Sequence, residues 1–183
     1  IAEEIYRKKF GSSLINNKTY VIASDGDLME GVSHEAMSLA GHLKLKNLIV
    51  FFDNNKISID GSTSLSVSDN YKKRFESYGW NFIEVNGHNE KQISKAITKA
   101  SKSKKPSLIS CKTIIGFGSP NKSGKASSHG SPLGDDEISL VRKKLKWDNQ
   151  PFEIPKEILS EWREIGSKGE ELEKNWLEKI EKK

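Results

Sequence analysis

The sequence predicts an α/β fold with a doubly wound, mostly parallel sheet. Four apolar runs, several of them without polar alternation, predict strands that helices cover on both faces. Segments with helical spacing of apolar residues alternate with these runs, and the connections are short, as in strand–helix–strand units. The predicted strands are 19–24, 48–53, 81–86 and 107–115.

The segments between the predicted strands have apolar residues at helical spacing, which predicts helices. The predicted helices are 33–43, 70–79 and 89–102. In the last of these, Ile93, Ala96, Ile97 and Ala100 form the inner stripe. The lysines of 98–105 are expected to form a solvated face.

A long loop is predicted after the last strand. Residues 116–134 contain five glycines and two prolines, which excludes regular structure. A loop of this length within a compact domain is more often functional than idle. We expect Asp135 or Asp136 to cap a short helix that runs through Leu145.

The chain ends in a predicted helical tail. We assign residues 1–150 to one domain and 151–183 to the tail, where apolar residues recur at helical intervals. Gly166 and Gly169 weaken this helix midway. We expect the tail to pack against the domain or a neighbour.

Composition limits the possible functions. The 183 residues carry a formal charge of +5, which suits an anionic small molecule as well as a nucleic acid, and which a solvated surface also explains. No aromatic and arginine stripe of the kind that stacks bases is present. No apolar run reaches the length of a membrane span. We therefore expect neither a nucleic acid nor a membrane as partner.

The single cysteine bears on the cellular location, and the first residue bears on whether the chain is part of a longer protein. Cys111 is the only cysteine, so no internal disulfide forms and a cytoplasmic location is expected. Its apolar neighbours favour a buried strand residue over a nucleophile. Ile1 lies in what reads as the middle of a helix, so we expect the chain to be a piece of a longer polypeptide.

Two predicted strands end in polar residues. The first runs into Asp25 and Gly26, and the second runs into Asp53, Asn54 and Asn55. Ligands bind beyond the carboxyl ends of strands in open α/β sheets, and a hard divalent cation prefers oxygen ligands. A glycine also lets the backbone approach a diphosphate. Turn and capping roles are the alternative, whereas the spacing excludes an EF-hand.

Several segments, in their order and spacing, resemble the transketolase family of thiamine-diphosphate enzymes. They are DGDLMEGVSHEAMSLAGHLKL, NNKISIDG, RFESYGW, CKTIIGFGSPNKSG and SHGSPLGDDEI, within residues 18–165. The Gly-Asp-Gly motif of these enzymes stands here as Ser24-Asp25-Gly26, followed by Asn54-Asn55. The resemblance implies part of a thiamine-diphosphate-binding domain.

The resemblance also implies ligands for the cofactor and its metal. Asp25, the Asn55 side chain and the Ile57 carbonyl match the family's Mg²⁺ or Ca²⁺ ligands, and the cation holds the diphosphate. Gly26 matches the glycine whose backbone meets that diphosphate.

Five further residues are matched in the same way. Ile59 and Ile115 match apolar positions near the thiazolium ring. His129 matches the catalytic histidine beside the diphosphate and the donor sugar. Glu30 and Glu35 match glutamates of the dimer interface, so the resemblance implies a homodimer.

The sequence departs from the family at two places. Ser24 replaces the usual glycine, so its bulk either crowds the diphosphate or is absorbed by a slight shift. The segment GKASSHG before His129 lacks a second histidine that many members carry. Lys122 and Lys125 lie in the same loop. They either attract a phosphate group or are ordinary solvent-exposed lysines. The remaining histidines are expected to be structural or surface groups.

The implied activity is that of a transketolase. Such an enzyme transfers a two-carbon ketol group from a ketose phosphate to an aldose phosphate, and we expect the isolated chain to be inactive. The alternatives are a relative such as dihydroxyacetone synthase, the small subunit of a split transketolase, and a non-catalytic oligomerisation module.

Overall fold

A four-stranded parallel sheet forms the centre of the computed structural model, which describes residues 1–182. The strand order is β1-β2-β6-β5, and a separate two-stranded antiparallel hairpin is formed by β3 and β4. In chain order the strands are β1 Thr19–Ser24, β2 Leu48–Asn54, β3 Ile57–Ser58, β4 Gly61–Ser62, β5 Asn81–Asn86 and β6 Ser107–Lys112.

Seven α-helices are found among the described residues. They are α1 Ala2–Phe10, α2 Asp25–Met29, α3 Gly31–His42, α4 Tyr71–Ser77, α5 Glu90–Ser101, α6 Asp135–Leu145 and α7 Lys156–Glu181. Short 3₁₀ turns lie at Thr63–Leu65 and Ala126–Ser128. None of the helices within residues 1–182 combines the length and the apolar character needed to cross a membrane.

Two apolar cores, one on each face of the sheet, confirm the doubly wound prediction. Alternate residues of one strand enter different cores: Val50 and Phe52 pack with α3 and α4, whereas Ile49 packs with α5. The inner stripe predicted for α5 is confirmed, since Ala96 and Ala100 are buried in this second core and the partly buried Ile93 and Ile97 pack against it. A strand that contributes to both cores is apolar at successive positions, which explains its lack of alternation.

Three details differ from the sequence-based expectations. β6 ends at Lys112 rather than at Ile115 because its neighbours β2 and β5 end opposite it, in register with Lys112. Gly134, not an aspartate, is the N-cap of α6, and a glycine has no side chain that could cap the helix. The tail helix α7 runs through both of its glycines without a break, and none of its described residues is buried.

The parallel strands bring the predicted polar residues to one edge of the sheet. Ser24 at the end of β1 is in register with Asp53 of β2. The residues that follow each strand, Asp25 and Asn55, therefore leave the sheet side by side. Cys111 is buried in β6, as expected, and burial raises the pKa of its thiol.

Candidate functional site

Ser24 caps the short helix that begins where β1 ends. Its hydroxyl and its backbone N–H both donate to the Asp27 carboxylate, at 2.8 and 2.7 Å, and these bonds lower the pKa of Asp27. The Ser24 backbone is extended, with φ −97° and ψ 178°, a conformation open to any residue. The serine that replaces the family's glycine is thus accommodated as an N-cap.

Asp25 is the most deeply buried acid of the candidate site, with 3% of its surface exposed. Its Oδ2 accepts hydrogen bonds from the backbone N–H groups of Asn55 and Lys56, each at 3.2 Å. Its Oδ1 is buried and has no hydrogen-bond partner within the described residues 1–182. Burial raises the pKa of this carboxyl, although the two backbone donors act in the opposite direction.

Asn55 is oriented by its own loop and by Asp53. Its Oδ1 accepts a hydrogen bond from the Ile57 backbone at 2.9 Å, and its Nδ2 lies 3.4 Å from Asp53 Oδ2. The hydroxyl of Thr113 donates to the other oxygen of Asp53. An amide oxygen carries two lone pairs, so Asn55 Oδ1 retains one acceptor position.

The donor set fits a hard divalent cation. A buried carboxylate oxygen without a partner is costly, and a cation with phosphate oxygens in its shell would satisfy it. No cluster of three or more His, Cys, Asp or Glu side chains converges on one point in residues 1–182. A cation at Asp25 would therefore take amide, carbonyl and ligand oxygens as well.

Two cavities border the Asp25–Asn55 pair. Asp25 lines a polar cleft of about 680 Å³ together with Tyr71, whose buried hydroxyl has no hydrogen-bond partner among residues 1–182. Asn55 lines an apolar groove of about 750 Å³ on the other side. Ile115 lines this groove too, together with Tyr20, Ile22, Phe51, Ile93 and Ile97.

The backbone at Gly26 is open. A Cβ atom added there would meet only the Ser24 hydroxyl oxygen, at 4.0 Å, so a ligand has room to approach. Ile57 is half-buried in β3, whereas Ile59 is exposed in the turn of the β3–β4 hairpin and lines neither cavity. Ile59 and Asp60 form the turn of this hairpin.

Three predicted residues lie apart from the Asp25–Asn55 pair. His129 is exposed after the 3₁₀ turn, and its backbone N–H donates to the Ala126 carbonyl at 2.8 Å. It lines neither of the two cavities. Glu30 and Glu35 are exposed at the start of α3.

Sequence reasoning missed two groups that organise this region. The backbone donors at Asn55 and Lys56 depend on the left-handed conformation of Lys56, with φ 61°. Glu137, in the first turn of α6, binds the loop that precedes it. The run of acids at 135–137 was the only signal, and it reads equally well as helix N-terminal charge.

A family profile described as the transketolase thiamine diphosphate binding domain matches residues 2–183. A transketolase from Buchnera aphidicola is 53% identical over 177 residues, which is 96% of this chain and 26% of that protein. Transketolase 2 from Escherichia coli K12 is 50% identical over 185 residues, covering 98% of this chain and 28% of that protein. The chain thus spans about a quarter of the length of these relatives.

Solved structures show the same fold. A transketolase from Campylobacter jejuni superposes with a TM-score of 0.96 at 40% identity, covering 99% of this chain and 29% of that one. A Pichia stipitis transketolase in complex with sedoheptulose-7-phosphate gives a TM-score of 0.85 at 41% identity, covering 89% and 25%. Sequence and fold together place this chain in the transketolase family, as part of its thiamine diphosphate binding domain.

Proposed function

We propose that this chain forms the metal- and diphosphate-binding part of a transketolase. The enzyme would transfer a two-carbon ketol group from a ketose phosphate to an aldose phosphate. The observation that carries the proposal is the buried Asp25 Oδ1, which lacks a partner and lies beside Asn55. Membership of the family supports a diphosphate ligand that completes the shell of a cation at this point.

Each residue of the pair has a distinct part in binding. Asp25 gives a carboxylate oxygen, Asn55 an amide oxygen and Ile57 a backbone carbonyl to Mg²⁺ or Ca²⁺. Gly26 leaves its backbone accessible to the diphosphate. Thiamine diphosphate, when bound, supplies the stabilisation of a carbanion that ketol transfer requires.

The remaining residues are assigned to the reacting end of the cofactor by their match to the family. Ile115 lines the apolar groove beside Asn55, whereas Ile59 is exposed in the hairpin turn and would meet the thiazolium ring only when the cofactor is bound. His129, exposed on its loop, hydrogen-bonds the diphosphate and orients the donor sugar.

Assembly and location belong to the same proposal. Glu30 and Glu35 are exposed and would pair across the interface of a homodimer. Residues 1–150 act as the cofactor domain, and 151–183 as a helical tail whose described part has no buried residue. A protein with one buried cysteine suits the cytoplasm.

The test is ketol transfer by the full-length protein that carries this segment. Asp25→Ala removes a direct ligand, so activity with thiamine diphosphate and Mg²⁺ should fall by about 100-fold or more. Asp60→Ala is the matched control, because this aspartate is exposed in the β3–β4 turn. We expect no turnover by residues 1–183 alone.

Equal activity of the Asp25→Ala and wild-type proteins would contradict the proposal. A wild-type protein that binds no thiamine diphosphate in calorimetry would favour a non-catalytic oligomerisation module instead. Turnover of a one-carbon aldehyde acceptor in place of an aldose phosphate would favour a relative such as dihydroxyacetone synthase.

A further inference from the structure

The glycine-rich loop between β6 and α6 is folded by specific hydrogen bonds. The Gly124 N–H donates to the Ile115 carbonyl at 2.8 Å, which closes the first half of the loop. Ser128 packs on Gly116, since a Cβ at Gly116 would lie 2.8 Å from the Ser128 hydroxyl oxygen. The loop therefore brings the residue before His129 against the residue after Ile115.

Glu137 binds this loop from outside, and it is buried with 7% of its surface exposed. Its Oε1 accepts hydrogen bonds from the Ser119 hydroxyl and from the Asn121 backbone, the latter at 2.8 Å. Its Oε2 accepts a bond from Asn121 Nδ2 at 2.9 Å. These donors, of which the Ser119 hydroxyl has the largest effect, lower the pKa of Glu137 to about 2. The carboxylate is therefore ionised at neutral pH.

A chain of hydrogen bonds leads from Glu137 to both sides of His129. Ser119, which Glu137 holds, accepts a bond at its hydroxyl oxygen from the Lys122 backbone at 3.0 Å. The Lys122 carbonyl accepts a bond from the Ser128 hydroxyl at 2.6 Å, and Lys122 Nζ donates to the Leu133 carbonyl at 2.7 Å. Lys122 thus ties the residue before His129 to a residue four positions after it.

We propose that Glu137 is a positioning residue, which sets His129 and Ile115 against the cofactor site through Ser119 and Lys122. This inference rests on the proposed function, because it assumes that His129 meets the donor sugar. Glu137 itself touches no substrate. It acts by giving the loop one conformation before any ligand arrives, which lowers the cost of ordering that loop on binding.

The test uses Glu137→Gln in the full-length protein. Glutamine has the same shape but presents an NH₂ group to one of the three donors, so part of the network is lost. The matched control is Asp136→Asn, the exposed neighbour in the same helical turn, which makes no side-chain hydrogen bond with the described residues. Three measurements separate positioning from a general structural role.

The first measurement is trypsin cleavage after Lys122 and Lys125, with the protein otherwise folded. We expect Glu137→Gln to speed this cleavage by about 10-fold or more through local opening of the loop. Asp136→Asn should leave the rate unchanged. This measurement needs neither cofactor nor activity.

The second and third measurements are kinetic. At saturating thiamine diphosphate and Mg²⁺, Glu137→Gln should lower kcat/KM for the donor ketose phosphate by about 10-fold, because His129 is no longer held in place to meet the donor sugar. In a double-mutant cycle, Glu137→Gln should have a much smaller effect in a His129→Ala protein than in the wild type, because it acts mainly through the position of His129.

Additive effects of Glu137→Gln and His129→Ala would overturn the inference, as would unchanged trypsin cleavage. A wild-type protein that binds no thiamine diphosphate would instead refute the proposed function, and cleavage would still show whether Glu137 holds the loop.

Discussion

Asp25→Asn is expected to stabilise the metal-free chain while abolishing metal binding. The substitution keeps the oxygen that accepts from Asn55 and Lys56, and replaces the partnerless Oδ1 with an NH₂ group. The NH₂ group is also buried without a partner, so the gain comes from removing the charge, whose burial the folded chain disfavours. We expect the free energy of unfolding in chelator to rise by about 1 kcal/mol.

The pH dependence of the free energy of unfolding shows whether the Asp25 carboxylate stabilises or destabilises the metal-free chain. The folded-state pKa of Asp25 lies above its usual value of 3.8, so ionisation destabilises the chain as pH rises through that pKa. Asp25→Asn should remove this loss. A divalent cation should reverse the order, because it binds only the wild-type carboxylate.

Urea unfolding followed by tryptophan fluorescence, to which the buried Trp80 contributes, measures both effects. The series compares chelator with thiamine diphosphate plus excess Mg²⁺; a ligand at 100 times its Kd adds about 2.7 kcal/mol. A variant less stable than wild type in chelator by more than about 1 kcal/mol would refute the reasoning, since the carboxylate would then be a structural anchor.

Three further predictions concern packing and charge. Gly41→Ala should destabilise the chain by about 3 kcal/mol in urea unfolding, because its Cβ would lie 1.8 Å from the Tyr78 carbonyl oxygen. Gly31→Ala in the same helix is the control. Its Cβ would meet nothing within 4 Å, so the free energy of unfolding should not change. Tyr71→Phe removes a buried hydroxyl without a partner and should leave the free energy of unfolding unchanged or raise it by about 1 kcal/mol; a clear loss would reveal a missed partner. The pKa of Glu137 falls from 4.5 to about 2 on folding, so stability should decline as pH drops through that window, and Glu137→Gln should abolish this dependence in acid titration.

The pattern of apolar residues was sufficient to predict the strands of the sheet. It was not sufficient to predict the residue at which each strand ends. Val50 and Phe52 enter one core and Ile49 the other, and such burial on both faces leaves a readable apolar run. The end of β6 was predicted wrongly, since pairing stops where the neighbouring strands stop, and a strand's own residues carry no information on its partners' lengths.

The candidate site was predictable in its outline. Asp25 and Asn55 lie together because parallel strands end at the same edge, a rule that needs only topology. The backbone donors to Asp25 were not predictable, because they depend on a positive φ at Lys56, a residue type that rarely adopts it. Glu137 and Ser119 are 18 positions apart, so their contact required the folded loop.

The most direct test is a crystal structure of the full-length protein with thiamine diphosphate and Ca²⁺. The account predicts one cation within about 2.3–2.6 Å of Asp25 Oδ1, the Asn55 side-chain oxygen and the Ile57 carbonyl, with diphosphate oxygens completing its shell. A cation bound elsewhere, with the Asp25 carboxylate still without a ligand beside a bound diphosphate, would contradict it.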